Sequence, residues 1–259
     1  RILKYSNQNL LLREIGGFGN SQDRFNDPRD LDAHLTLNVF VSDYNNNRIV
    51  RFDSHLNYLS DFSIENLNIS YDDPFYFEMP LSVAVNNQYD LFVLEDLNKR
   101  IVKFDRFNQP SVAFGRASEN IGQLLGPQQV AIGHNNEIFV SDPLAGAVIV
   151  FDFLGNFIRE IRHPDFKEPR GIDISNQQEL IVADQKSRKI FFFSDTRKLR
   201  SIFDLQTEDI IPTDVTLHSP RGKDKSILYI ATPQTPLQVT AAAPATRDLS
   251  MPISDRKGA

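Results

Sequence analysis

The chain has 259 residues and a formal net charge of −6, a balance that gives it no overall attraction to nucleic acid or to an anionic membrane surface. It contains no cysteine, which excludes disulfides, thiolate nucleophiles and cysteine-ligated zinc or iron–sulfur centres. Its 41% hydrophobic and 24% charged content suits a globular protein with a sizeable core, and no apolar run approaches the roughly 18–20 residues of a membrane-spanning helix.

The first elements, in "RILKYSNQNLLLREIGGFG" (1–19), read as two strands with a polar turn between them. From Pro28 the chain reads "PRDLDAHLTLNVFVSDYNNNRIVRFDSHLNYLSDF". This predicts strands over Asp30–Ala33, Asn38–Ser42, Arg48–Asp53 and Tyr58–Phe62, divided by turn-prone Asn, Asp and Ser. The unit starts again at Pro80 ("PLSVAVNNQYDLFVLEDLNKRIVKFD"), Pro127 ("PQQVAIGHNNEIFVSDPLAGAVIVFD") and Pro169 ("PRGIDISNQQELIVADQKSRKIFFF"). A worn fifth version opens at Pro212 ("PTDVTLHSPRGKDKSILYIATPQTPLQVT"). Successive prolines are 52, 47, 42 and 43 residues apart. A period near 40–50 with four short strands per unit predicts an all-β propeller of four-stranded antiparallel blades. The second strand of each unit is a continuous apolar run ("VFV", "LFVL", "IFV", "LIV", "LYI"), which predicts burial on both faces. No segment carries the capped 3.6-residue period of a helical domain.

The recurring segments P-x-[DG]-[VIL]-x, [LIV]-[FY]-V-[SA]-D and R-I-x-x-[FY] resemble the NHL-repeat family of β-propellers over about residues 1–240, taken as one domain. That family is usually six-bladed and hosts scaffolds, binders, lactonases and lyases, so the resemblance is specific for fold and not for function. Residues 1–19 match the second half of a unit, with Arg1 standing where Arg48 stands. Two arrangements stay open. If the fifth repeat supplies its own third strand, Leu237–Thr240, six blades are implied, with an inner half-blade upstream of Arg1. If it stops after two strands, residues 1–16 complete it and five blades close. The chain begins with Arg rather than Met, as expected of a processed chain or a fragment. Residues 241–259 lack apolar periodicity and are expected to form a linker or disordered tail.

An acid closes the second strand of four units (Asp43, Glu95, Asp142, Asp184), with Thr232 in the fifth. The third strand opens on Arg48, Arg100, Ala147, Lys189 and Leu237. A catalytic pair is needed once per site, whereas this pairing recurs. It is therefore expected to be a partly exposed structural stitch worth about 0.5–1 kcal/mol, with Asp142, which faces Ala147, satisfied by backbone amides.

Histidines 34, 55, 134, 163 and 218 show no HxH or HExxH spacing, and no GxSxG elbow or phosphate loop is present. Asp27, Asp30 and Asp32 lack the turn glycine and terminal glutamate of a calcium loop, so no metal or cofactor site is assigned. The position after each blade proline holds Arg29, Leu81, Gln128, Arg170 and Thr213, a neutral-to-basic ring at the channel mouth. Arg29, Gln128 and Arg170 would suit an anion or a partner's acidic side chain, unless the arginines pair with nearby acids.

The loops between second and third strands and those between blades are expected to share one face. It carries Tyr44 and Asn46, Leu144, and the longest insertion, "SIENLNISYDDPFYFE" (63–78). Asp73, Phe75, Tyr76 and Phe77 lie in that insertion and, with Tyr44, Asn46 and Leu144, are the candidate partner-binding residues. The expected function is a non-catalytic scaffold or binding module for a protein or peptide partner, with no nucleic-acid ligand. The resemblance also implies a metal-dependent lactonase or lyase with a channel site as the alternative. RNA binding, known in some animal members, is disfavoured by the acidic balance. The Asn-rich loops and degenerate repeats resemble extracytoplasmic bacterial propellers, implying a periplasmic or cell-surface setting.

Overall fold

The structure, a computed structural model, describes residues 1–6, 10–33, 37–116, 121–195, 197–208, 210–218, 225–233 and 237–242. Four sheets are complete blades of four antiparallel strands. The first runs β3 (Pro28–Asp32), β4 (Asn38–Asp43), β5 (Arg48–Asp53) and β6 (Tyr58–Ser63) from the inside outwards. The second holds β7 (Pro80–Val85), β8 (Leu91–Glu95), β9 (Arg100–Phe104) and β10 (Pro110–Phe114). The third holds β11 (Gln129–Ile132), β12 (Ile138–Asp142), β13 (Ala147–Phe151) and β14 (Phe157–Ile161). The fourth holds β15 (Pro169–Ile174), β16 (Leu180–Asp184), β17 (Lys189–Phe193) and β18 (Leu199–Asp204). Two partial sheets flank them: β1 (Ile2–Tyr5) with β2 (Leu11–Ile15), and β19 (Asp214–His218), β20 (Lys225–Ala231) and β21 (Leu237–Ala242). Two short 3-10 turns, Tyr44–Asn46 and Gln206–Glu208, are the helical pieces among the described residues, and none there could cross a membrane.

Strand β21 pairs with β20, Leu237 lying opposite Ile230. The fifth repeat therefore supplies its own third strand, and β1–β2 forms a sheet of its own rather than completing the fifth. The arrangement in which residues 1–16 finish that repeat is not the one adopted. Strand β21 ends at Ala242, and the expected tail beyond it lies outside the described residues.

Register repeats from sheet to sheet. Ile49, Ile101, Val148 and Ile190, the second residues of the third strands, lie opposite Phe62, Phe114, Ile161 and Phe203. Ile2 lies opposite Ile15 in the same way, which places Arg1 at the Arg48 position and Lys4 at the Arg51 position. The second strands β8, β12 and β16 are buried at every residue, as their unbroken apolar runs require. Five apolar clusters fill the spaces between successive sheets, each fed by two neighbours. Phenylalanines dominate them: Phe52, Phe77, Phe92, Phe104, Phe139, Phe151 and Phe191 are fully buried. Each such ring removed from water contributes roughly 1.5–3 kcal/mol, so cohesion lies between blades as much as within them.

The turns repeat too. The four loops joining second to third strands end on Asn47, Lys99, Gly146 and Arg188, all left-handed with φ of 51, 51, 60 and 54°. One backbone solution thus serves a glycine and three residues that adopt it less readily.

Candidate binding face and channel

The acids that close the second strands are buried, and each gathers the loops of one end of the ring. Asp43 accepts the Asn26 amide (2.7 Å), the Asn46 side-chain amide (2.7 Å) and Arg48 Nε (2.9 Å). The Arg48 guanidinium also donates to the carbonyls of Asn20, Ser21 and Arg24, fixing the connection that enters the blade. Arg100 repeats the design: its Nε meets Glu95 (2.8 Å), and its other nitrogens hold the Pro74 and Tyr76 carbonyls of the insertion. Burial pushes the Glu95 carboxyl above its usual range. Asp142 accepts only amides, from Leu125, Gly126 and Ala145, as its alanine partner predicts. In the fourth blade Lys189 departs from the expected pattern, reaching Asp165 (2.7 Å) while Asp184 takes the amides of Lys167, Glu168 and Ser187. The Asp43–Arg48 pair is not partly exposed as expected: the side chains retain 0% and 9% of their accessibility. The connection from residue 19 to 27 folds over it, which pattern alone does not register.

Above these anchors the loops form the candidate face. Tyr44 is half-buried, its hydroxyl bonded to Asp96 (2.7 Å) in the next blade and its ring capped by the Arg29 guanidinium at 3.9 Å. Asn46 is turned downward onto Asp43 and the Gly19 carbonyl, so it braces the loop. Leu144 is 72% exposed and lies over Gly126, where a Cβ would come within 2.6 Å of its side chain. Leu97, Leu125 and Met79 are exposed on neighbouring loops, linked by the Lys99 ammonium on the Leu125 carbonyl and the Asp96 amide on the Met79 carbonyl.

The aromatic run of the insertion is largely core. Phe77 is wholly buried against Phe104 with ring centroids 5.8 Å apart, and Phe75 packs partly on the same cluster. Tyr76 is buried, edge-on to Tyr71 at 5.0 Å, and its hydroxyl donates to Glu78, which pushes its pKa up to about 12. Asp73 caps the turn by accepting the Phe75 amide. The insertion therefore contributes exposed Tyr71 to the surface instead of the aromatic run.

The arginines of the channel mouth are paired, as the alternative expectation had it. Arg29 meets Asp27 (2.8 Å); Arg170 meets Glu168 (2.8 Å) and Gln128 (3.0 Å). Deeper, the channel turns acidic. A cavity of about 1140 Å³ is lined by all five inner strands and by Arg1 and Ile2, and holds Asp30, Asp32, Asp173 and Asp214. Burial and the Asp214 charge raise Asp30 to about 7, and burial with the Asp173 charge raises Asp214 to about 6. Asp173 is raised by burial as well. These carboxylates link successive inner strands: Val83 N donates to Asp30 (3.2 Å), Val85 N to Asp32 (2.7 Å) and Leu217 N to Asp173 (2.8 Å). Ser82 and Gln129 do the same for Val130 N (3.0 Å) and Ile172 N (2.6 Å). Gly171 permits the close approach of β15 and β19, since a Cβ there would stand 2.5 Å from the Asp214 Cα. The sequence signal for the acidic layer was confined to three of the five units, two residues after Pro28 and Pro212 (Asp30, Asp214) and four after Pro28 and Pro169 (Asp32, Asp173), one step deeper than the basic ring. Among the described residues no three histidine, aspartate or glutamate side chains are grouped to share a metal ion.

A ring of radially packed four-stranded sheets around a central channel makes the protein a β-propeller. No family model matches the sequence. Over 119 residues, 45% of this chain, it is 31% identical to the Drosophila melanogaster protein called Protein brain tumor, of which it spans 12%. Among solved structures, a streptogramin B lyase superposes with a TM-score of 0.61 at 15% identity, covering 88% of this chain and 67% of the lyase. The WD40 propeller domain of Doa1 superposes at 0.57 with 9% identity, covering 84% and 62%. At those identities the likeness is one of fold.

Proposed function

We propose that the chain is an NHL-type propeller that binds a protein or peptide partner on the face carrying Tyr44, Leu97, Leu125 and Leu144. One observation carries this: loops pinned from below by buried acids hold exposed leucines in fixed positions. A preformed apolar patch with charged neighbours loses little entropy on docking, which is what a recognition surface needs. The partial identity to an animal NHL protein and the fold shared with a WD40 domain support the reading. A bacterial periplasmic or cell-surface setting is part of the proposal and rests on sequence resemblance alone; fractionation of the native host tests it. For the face, cross-linking mass spectrometry in native extract is compared between the wild type and a Leu97→Glu/Leu144→Glu variant. Partner cross-links on these loops that vanish in the variant, with thermal unfolding unchanged, support the proposal; cross-links retained in the variant refute it.

The second reading, a lactonase or lyase with its site in the channel, is favoured by the acidic cavity and the fold shared with the lyase. It requires that a variant with Asp30 and Asp214 both changed to Asn lose turnover of lactone substrates or of streptogramin B, the compound for which the superposed lyase is named.

A further inference from the structure

The exposed leucines of the binding face stand beside cations. Lys99 donates to the Leu125 carbonyl (3.0 Å), and Arg162 donates to the carbonyl of Ala145, next in the chain to Leu144. Leu144 in turn lies over Gly126, so Leu125 and Leu144 are neighbours with a positive group at each. The loops that hold this patch, 96–99, 143–146, 162–168 and 185–189, together carry six lysines and arginines against three carboxylates. They stay positive when Asp142 and Asp184, buried beneath them, are counted. The insertion at 63–78 is the reverse, with four carboxylates and no base. In a chain of net charge −6, a cationic sector around the apolar patch is not a by-product of composition.

Three of these cations have no intramolecular use for their charge. Among the described residues Lys99, Lys167 and Lys186 form no ion pair, and the first two touch only the carbonyls of Leu125 and Pro164. Lys189 differs, being held on Asp165 (2.7 Å), while Arg162 meets Glu160 in an exposed pair that a ligand carboxylate can replace.

We infer that the segment docking on this face is an acidic peptide: an apolar side chain seats against Leu125 and Leu144, and carboxylates on either side of it meet Lys99 and Arg162. The inference rests on the proposed binding face and adds the charge of its ligand. A nucleic acid would use the cations and leave the leucines uncovered, whereas exposed apolar side chains ask for an apolar partner. The acidic insertion repels such a segment and so directs it toward the third and fourth blades. Exposed ion pairs add little affinity but steer and select, so the expected mark is a salt-dependent preference among ligands.

The test uses the 259-residue chain and labelled peptides read by fluorescence anisotropy. One has a Leu-Phe-Leu centre between glutamate triplets, a second has the same centre between lysine triplets, and a third sets the glutamates around Ser-Gly-Ser. The first should bind about tenfold more tightly than either of the others, and should weaken as salt rises from about 50 to 300 mM. A Lys99→Glu/Arg162→Glu chain should reverse the preference between the first two peptides, with thermal unfolding unchanged. Equal binding of the glutamate and lysine peptides, or no binding of the first, overturns the inference. So does an RNA homopolymer that binds more tightly than the glutamate peptide and is lost in the same variant. The two readings fail separately. Partner cross-links that persist on these loops while the glutamate peptide is ignored sink the acidic ligand alone; cross-links indifferent to Leu97→Glu/Leu144→Glu sink the face itself.

Discussion

Asp43 and Arg48 meet at 2.9 Å across the tip of one hairpin, and both are shut away from water. Each holds a different stretch of the same connection: the carboxylate takes the Asn26 amide, the guanidinium the carbonyls of residues 20, 21 and 24. Removing either partner strands a buried charge and several backbone groups. Asp43→Ala and Arg48→Ala should each cost about 3–5 kcal/mol in denaturant unfolding, and the double variant clearly less than their sum.

Arg100 should act on the insertion more than on the blade. Arg100→Met frees the Tyr76 carbonyl and leaves the Pro74 carbonyl to Arg116 alone, so limited proteolysis is expected to cut within residues 63–78 at rates well above wild type. Unaltered protease resistance there would show that core packing alone holds the insertion.

Phe77 belongs to the core between the first two blades. Phe77→Ala should lower stability by about 3–5 kcal/mol, whereas Leu144→Glu on the exposed loop should stay within about 0.5 kcal/mol. Chemical denaturation of the two variants checks the contrast.

The channel acids set a pH dependence. Asp30 and Asp214 titrate higher in the folded chain than when unfolded, near 7 and 6 against an ordinary 3.8. The folded state thus holds the extra protons; this stability is complete below about pH 4 and falls as pH rises toward 7. Asp30→Asn should match wild type near pH 4 and exceed it at pH 8 by about 1–2 kcal/mol, a figure discounted for water in the channel. A variant less stable than wild type at pH 8 would show that the carboxylate's bonds to Val83 and Ser82 outweigh its burial.

Tyr89 occupies a left-handed turn at φ 67° and is 38% exposed. Tyr89→Gly relieves that conformation and should gain about 0.5–1 kcal/mol in thermal or denaturant unfolding.

The blade plan was open to sequence reading because it repeats: a proline, an apolar second strand and an acid five residues before a base recur at fixed register. Strand limits fall within two residues of those expected in the first blade, from Pro28–Asp32 to Tyr58–Ser63. Asp142 was foreseeable because its opposing residue is alanine, which leaves only amides to satisfy it. What escaped depends on the third dimension. Lys189 reaches Asp165, 24 residues away in another loop, and repeat alignment holds no measure of that distance. The burial of Tyr76 and Phe77 follows from the insertion folding back onto the second blade, where a hydrophobic run in a long loop reads equally as surface or core. The acidic channel layer gathers four carboxylates from three strands, Asp30 and Asp32 on β3, Asp173 on β15 and Asp214 on β19, and only along the common axis do they meet.

The bonds from Val83, Val130, Ile172 and Leu217 amides to side chains of the preceding inner strand lie at the narrow centre of the ring. A blade is a wedge that pivots there, so any tilt at the hub becomes a larger sweep at the circumference. Loop spacing on the outer face is therefore governed from the axle, and altering Asp30 or Asp173 would retune the span between leucines that neither residue touches.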